Sequence, residues 1–171
     1  MKILDIGCGA NKCAGEKGDT VVGLDIEKRA GVDVVFDLEK KKRLPFRDAS
    51  FDAVNCRFVL EHIDNLVFVV KEICRVCKPG GTVRITVPHY ASKDAFTSPY
   101  HRRFFTIGTF DPKYYGGCFE LKTRRFTFNR LFLPVSLFAN AYPGTYEKFF
   151  CFWFPPGGLY FELAPNKKPR A

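Results

Sequence analysis

Short apolar runs alternate with polar, glycine-containing linkers through the first half of the chain. Lys2 to Ile6, Thr20 to Asp25, Val32 to Phe36, Phe51 to Cys56 and Thr82 to Val87 are each a few residues long and partly β-branched, and all but the fourth are closed by Gly, Asp or Pro. Continuous short runs of this kind suit strands buried on both faces of a parallel sheet. Between the fourth and fifth, Ile63, Leu66, Val67, Val70, Ile73, Cys74 and Cys77 recur at helical spacing. Lys78-Pro79-Gly80-Gly81 stops that helix, because Pro has no N–H with which to continue it and Gly tolerates left-handed backbone. The expected fold class is α/β, with a mostly parallel sheet.

From residue 89 the pattern turns aromatic and irregular. Phe119 to Phe128 reads as a strand with Lys and Arg on one face, and Leu159 to Leu163 as its antiparallel partner at the sheet edge. Between them lie Phe149, Phe150, Phe152, Trp153 and Phe154, for which no element is predicted; Phe-Pro-Pro-Gly-Gly at 154–158 excludes a long helix there. The aromatic block is read as core for the last strands; a substrate wall or a homodimer surface is the alternative, since large exposed apolar patches mark contacts. The chain is expected to be a single domain, 1–171, with 1–88 as one functional half and 89–171 as the other. No internal repeat is visible.

Composition narrows the function classes. The 171 residues are 46% hydrophobic and 26% charged, globular values for one domain. Nothing after Met1 resembles a signal peptide, and no uncharged apolar stretch reaches the roughly 18 residues of a spanning helix, so a cytoplasmic protein is expected. Seven irregularly spaced cysteines favour reduced thiols. Cys74 and Cys77 form a CxxC without a second pair, which reads as a buried helix face; no metal site is expected. The net charge of +9 favours an acidic partner: a phosphate, a carboxylate, a nucleic acid or an anionic membrane surface. Much of the excess sits in Lys40 to Arg43, Arg102-Arg103, Arg124-Arg125 and Lys167-Lys168, which solvated loops also explain.

The chemistry concentrates at the ends of the predicted strands. Leu4-Asp5-Ile6-Gly7-Cys8-Gly9 ends the first, where Gly7 and Gly9 permit a sharp turn and close approach of a ligand to bare backbone. Asp25 ends the second, placed to hold two ribose hydroxyls. The third glycine of a dinucleotide fingerprint is replaced by Lys12, which argues against NAD and for a nucleoside without a pyrophosphate. Asp37-Leu38 follows the third strand, where a carboxylate and an adjacent N–H suit an adenine edge. Three acids ending three consecutive strands line the edge at which open α/β sheets bind ligands.

These residues resemble the class I S-adenosylmethionine-dependent methyltransferases, in particular the type 11 group. The resemblance rests on residues 4–9, Gly23-Leu24-Asp25, Asp37-Leu38, Leu44-Pro45-Phe46, Ser50 to Val54, Val59-Leu60-Glu61-His62-Ile63 and Glu72 to Gly81, in the family's order. It implies a Rossmann-like sheet with an antiparallel edge hairpin, S-adenosyl-L-methionine as cofactor, and methyl transfer to a small-molecule or macromolecular acceptor. The turn Gly7, Cys8 and Gly9 would then cradle the methionine part, Asp25 would hold the ribose, and Asp37 and Leu38 would flank adenine; Asp5, able to accept from the turn or a ligand ammonium, and Ile26 are counted with them as cofactor-binding candidates. Residues 55–58, Arg57 among them, would approach the methionyl end. The chain departs from the family in having ten residues between Gly9 and Thr20, too few for the usual crossover helix, which is therefore shortened or absent. Lys12 either substitutes there, meeting the cofactor carboxylate, or is simply exposed. Strand one begins at Lys2, so no amino-terminal helix is expected over the pocket.

The candidate bases are the three histidines. His89, after strand five, and His101 are taken as the catalytic candidates; His62 is read as a capping or packing residue. Arg102 and Arg103 would bind an anionic acceptor or lie solvated. Two other classes stay open: a non-catalytic binding module on the same fold, and a nucleic-acid binder in which Thr123 to Phe128 stacks bases and meets phosphates.

Overall fold

The computed structural model describes residues 1–40 and 43–166. The Lys167-Lys168 cluster and the centre of the 40–43 cluster lie outside the described residues. Seven strands form one sheet: β1 (Lys2–Ile6), β2 (Thr20–Asp25), β3 (Val34–Val35), β4 (Phe51–Arg57), β5 (Cys77–Val87), β6 (Phe119–Thr127) and β7 (Gly158–Pro165). Their spatial order is β3-β2-β1-β4-β5-β7-β6. The first five are parallel and the last two antiparallel. β7 lies between β5 and β6, so the edge belongs to β6 and not, as expected, to the Leu159–Leu163 strand. Asn140 covers that edge: its Oδ1 accepts from Phe126 N–H at 2.8 Å and its Nδ2 donates to Phe126 O at 3.1 Å, satisfying groups that an exposed edge would leave open.

The crossover from β1 to β2 holds no helix. Side chains fasten it instead. Asp5 Oδ2 accepts from Cys13 N–H at 2.6 Å, and Lys12 Nζ meets Asp33 at 2.8 Å and Val21 O at 3.3 Å. Lys12 is thus committed to the loop, and its expected alternative, a cofactor carboxylate, falls away. The predicted helix after β4 divides into one 3-10 turn (Leu60–His62) and α1 (Leu66–Val76). α1 runs straight into β5, where Cys77 pairs with Phe51 and a bulge absorbs the Pro79-Gly80-Gly81 segment. Gly81 fits there because a Cβ would lie 2.6 Å from Asp52 O.

Two helices in the second half were not predicted: α2 (Leu133–Ala141) and α3 (Pro143–Phe149). Each buries a single residue, Ala139 or Tyr146, so neither carries the apolar stripe from which a helix is read. The core runs along both faces of the sheet, from Leu4, Ile6, Val54 and Ile85 to Phe161 and the aromatic column Phe105, Phe110, Tyr115 and Phe119. The aromatic block is therefore only partly core: Leu137, Phe149, Phe152 and Trp153 are exposed.

Candidate active site at the carboxyl edge of the sheet

β1, β2 and β3 end at one edge, and their terminal residues surround a cavity of about 330 Å³. Gly7, Asp25, Ile26, Asp37 and Leu38 line it, together with Leu24, Phe36, Glu39, Phe58, Val59, His62 and Ile63. A larger depression, about 590 Å³, lies over the outer side of α1 among Lys71, Glu72, Arg75 and Cys118. Arg75 there is already paired with Glu72 and Asp48 at 2.7 Å each, and no residue at the ends of β1 to β3 lines it. The smaller cavity is the candidate site.

The turn after β1 is built for close approach. Gly7 takes φ +67°, and a Cβ there would lie 2.0 Å from Val59 Cγ2, so glycine lets the turn pack directly on Val59, just past the end of β4. Gly9 takes φ +57° with nothing within 4 Å of a Cβ position, leaving open space over the turn. Asp25 holds this shape: its Oδ2 accepts from Gly9 N–H at 2.9 Å and its Oδ1 from Glu27 N–H at 3.2 Å. Each carboxylate oxygen has capacity for a second donor, so a pair of ligand hydroxyls is accommodated as well. Asp37 is organised alike, with Oδ1 accepting from Glu39 N–H at 2.9 Å. Phe58, which borders the cavity, is held at φ +54°, a costly conformation for an aromatic residue that persists only where the surrounding structure over-determines the backbone.

Four of the nine expected cofactor residues do not line the cavity. Asp5 is buried beneath the turn, with Cys13 N–H on Oδ2 and Arg57 Nη2 at 3.8 Å. Cys8 turns its thiol toward Gly31 O, 3.4 Å away. Gly9 supports the turn through Asp25, and Arg57 reaches back to Asp5. These residues shape the turn that the other five present to the cavity.

The histidines rearrange more. His89 is fully buried: Nδ1 accepts from Ala91 N–H at 3.1 Å, Nε2 faces Glu147 Oε1 at 3.2 Å, and Phe126 packs on the ring at 5.5 Å. It has no exposed atom to offer a substrate, and its observed position is a core one. His62, read as a packing residue, lines the cavity and lies edge-to-face with His101, ring centroids 4.7 Å apart. The 98–105 segment that brings His101 there is docked on the 60–64 turn, since Glu61 O accepts from Arg102 N–H at 2.8 Å and Arg103 N–H at 3.1 Å. The guanidinium of Arg102 pairs with Asp64 and that of Arg103 with Asp64 O, so both arginines brace this junction. Beneath it, burial raises the Glu61 carboxyl to about 7 and pushes the His62 imidazole below its usual value.

With this geometry in hand, the likenesses to known proteins fall into place. Residues 4–85 match the model of the family described as "Methyltransferase domain". The match covers a little under half of the chain. Over 97 residues the chain is 34% identical to a ubiquinone biosynthesis O-methyltransferase of Dechloromonas aromatica, an alignment covering 48% of this chain and 42% of that protein. Over 118 residues it is 30% identical to a demethylmenaquinone methyltransferase of Beutenbergia cavernae, covering 61% and 49%. The chain thus spans less than half the length of these curated relatives. A solved S-adenosylmethionine-dependent methyltransferase from Archaeoglobus fulgidus shares the fold at a TM-score of 0.69 with 21% identity, over 95% of this chain and 85% of that one. The matched segment contains the end of β1, all of β2 to β4 and α1, and most of β5, and with them every residue lining the cavity. His101 and the aromatic elements lie beyond it. Among the described residues no helix is long and apolar enough to cross a membrane.

Proposed function

We propose that the chain binds S-adenosylmethionine in this cavity and transfers its methyl group to an acceptor approaching from the 89–105 side. The observation that carries the reading is the convergence of three strand ends, with Asp25 and Asp37 both lining one cavity next to an open glycine turn. The cavity volume of about 330 Å³ falls at the lower end of ordinary small-ligand sites, roughly 300–1,000 Å³. The residues fit the cofactor part by part: Asp25 accepts from the ribose hydroxyls, Asp37 from the adenine amino group, and Leu24, Phe36 and Ile63 give the base apolar walls. Gly7 and Gly9 leave room for the methionyl end.

When bound, the cofactor supplies an activated methyl group on a sulfonium, and the protein's share is position and environment. Holding nucleophile and methyl in line is worth up to roughly 7–11 kcal/mol in favourable cases. Phe58, strained at the cavity rim, and the His62–His101 pair beyond it are the groups placed to orient the acceptor. His101 keeps its candidacy as a group on the acceptor side, which His89 loses by burial. Arg102 and Arg103 are spent on bracing. The nucleic-acid reading is weakened, since of its two aromatics Phe126 is 2% exposed and Phe128 is partly buried against the core. The O-methyltransferase names of the relatives favour an oxygen nucleophile.

Adenosylhomocysteine at a hundredfold excess over its Kd adds about 2.7 kcal/mol to a native state that alone binds it, a rise of roughly 5–10 °C in Tm for a domain this size. Asp25→Ala should erase most of that rise. An unmoved Tm of the unaltered protein at millimolar ligand would overturn the reading; a shift without transfer of labelled methyl to any pooled metabolite, RNA or protein would make it a non-catalytic binding module.

A further inference from the structure

Glu61, His62 and His101 meet from two separate segments of the chain beside the cavity. A carboxylate oxygen of Glu61 and one nitrogen of each ring all lie within 4.8 Å of one another. Glu61 is 1% exposed, and its Oε2 has no hydrogen-bond partner among the described residues. A buried carboxylate oxygen without a partner is costly and calls for a ligand that supplies one.

Each of the two imidazoles is held at one nitrogen by a backbone carbonyl. His62 Nδ1 lies 3.3 Å from Tyr100 O, and His101 Nδ1 lies 3.0 Å from Ala95 O. A carbonyl oxygen only accepts, so in each ring Nδ1 carries the hydrogen and Nε2 keeps its lone pair. A backbone carbonyl fixing one ring nitrogen so that the other can ligate is how proteins prepare histidine for a metal ion. The support extends further: Arg102 and Arg103 donate their N–H groups to Glu61 O, which locks the histidine-bearing segment to the carboxylate-bearing turn.

We propose that Glu61, His62 and His101 bind a divalent transition-metal ion. Two imidazoles and one carboxylate are the donor set of catalytic zinc sites and of two-histidine iron sites, and both leave coordination positions open. Ligands about 2.1 Å from a tetrahedral ion are about 3.4 Å apart, so the three groups need only draw together by side-chain rotation. Because His62 also lines the cavity, an open position there would hold an oxygen of the methyl acceptor. That last consequence rests on the methyltransferase reading; the binding of the ion does not.

The test uses chelator-treated full-length protein titrated with cobalt(II), followed by its visible spectrum, and with zinc by calorimetry. One ion per chain should bind, with d–d bands and without the near-ultraviolet charge-transfer band that cysteine thiolates would produce. Glu61→Gln and His101→Ala should each weaken binding at least tenfold. His101→Ala should keep the adenosylhomocysteine-induced rise in Tm, which serves as its check of folding. No stoichiometric binding, a thiolate band, or unchanged affinity in a folded His101→Ala would overturn the metal site. Loss of the Tm rise in the unaltered protein would instead overturn the cofactor reading.

Discussion

α1 in the first half and α2 in the second are both mostly apolar, yet they use that apolar surface differently. α1 buries six of its 11 residues against the sheet. α2 and α3 bury one each and leave Leu133, Leu137 and Phe149 more than half exposed, beside Phe152 and Trp153 in the segment that follows. The difference is one of what the residues face rather than of residue type. In the first half, burial is one-sided and periodic, so pattern and structure agree. In the second, a few inward residues hold the elements while most of their aromatic surface faces out. Stability should therefore follow burial and not hydrophobicity, and the comparison can be broken by substitutions of similar chemistry at sites of opposite burial.

The largest effect is expected at Phe161 in β7, fully buried and 4.7 Å from the Phe110 ring centroid. Phe161→Ala removes a core aromatic from one face of the sheet and should cost about 3–5 kcal/mol, read as a lower urea midpoint at unchanged slope. A loss under about 1 kcal/mol would mean that the second half contributes little to the common core.

Next come the two glycines of the first turn, which separate space from conformation. Both have positive φ, but only Gly7 is crowded, with Val59 Cγ2 at 2.0 Å from a Cβ position. Gly9→Ala should cost about 1–2 kcal/mol for left-handed backbone. Gly7→Ala adds overpacking of about 1–3 kcal/mol and should lose adenosylhomocysteine binding, because the turn must move off Val59. Equal losses would show that the turn yields freely.

These sites also show why the chain is readable in some places and not in others. Gly7, Asp25 and Asp37 were legible because strand ends and the turns after them are local: each acid sits within a few residues of the apolar run that positions it. His89 was misplaced because its nearness to the carboxyl end of β5 does not reveal which way its side chain points, and it points at Phe126 and Glu147. The His62–His101 pair was illegible for another reason. Its members are 39 positions apart, and their meeting depends on Arg102 and Arg103 docking on Glu61 O. No local pattern encodes that return. The α2–α3 pair was missed because its periodicity is absent, as its burial predicts.

A smaller effect is expected from acid at the back of α1. Glu72 is raised by burial, but hydrogen bonds from Arg75 and Leu44 N–H and the charge of Arg75 outweigh this and hold its carboxyl below the ordinary value. A carboxyl whose folded pKa is depressed contributes stability above its unfolded pKa, about 4.3, and that contribution is lost as pH falls through the folded value. Stability should therefore decline below about pH 4.3, and Glu72→Gln should flatten that part of the profile while lowering stability at neutral pH by about 1–2 kcal/mol. An unchanged acid limb in Glu72→Gln would assign the decline to the exposed carboxylates.

The smallest expected effect is the most discriminating. Trp153 carries the largest apolar side chain in the protein and is 80% exposed. If burial governs, Trp153→Ser should change stability by no more than about 0.5 kcal/mol, with Phe152→Ser alike, although truncating an aromatic inside the core costs about 3–5 kcal/mol. The measurement is a pair of urea curves at two protein concentrations a hundredfold apart. Coincident midpoints within that margin leave the aromatic surface outside the cooperative unit, where removing a ring uncovers nothing. A loss of several kcal/mol that grows with concentration would mean that these rings are covered in solution by a second chain, and the contrast between the two halves would then be one between surface buried within the chain and surface buried between chains.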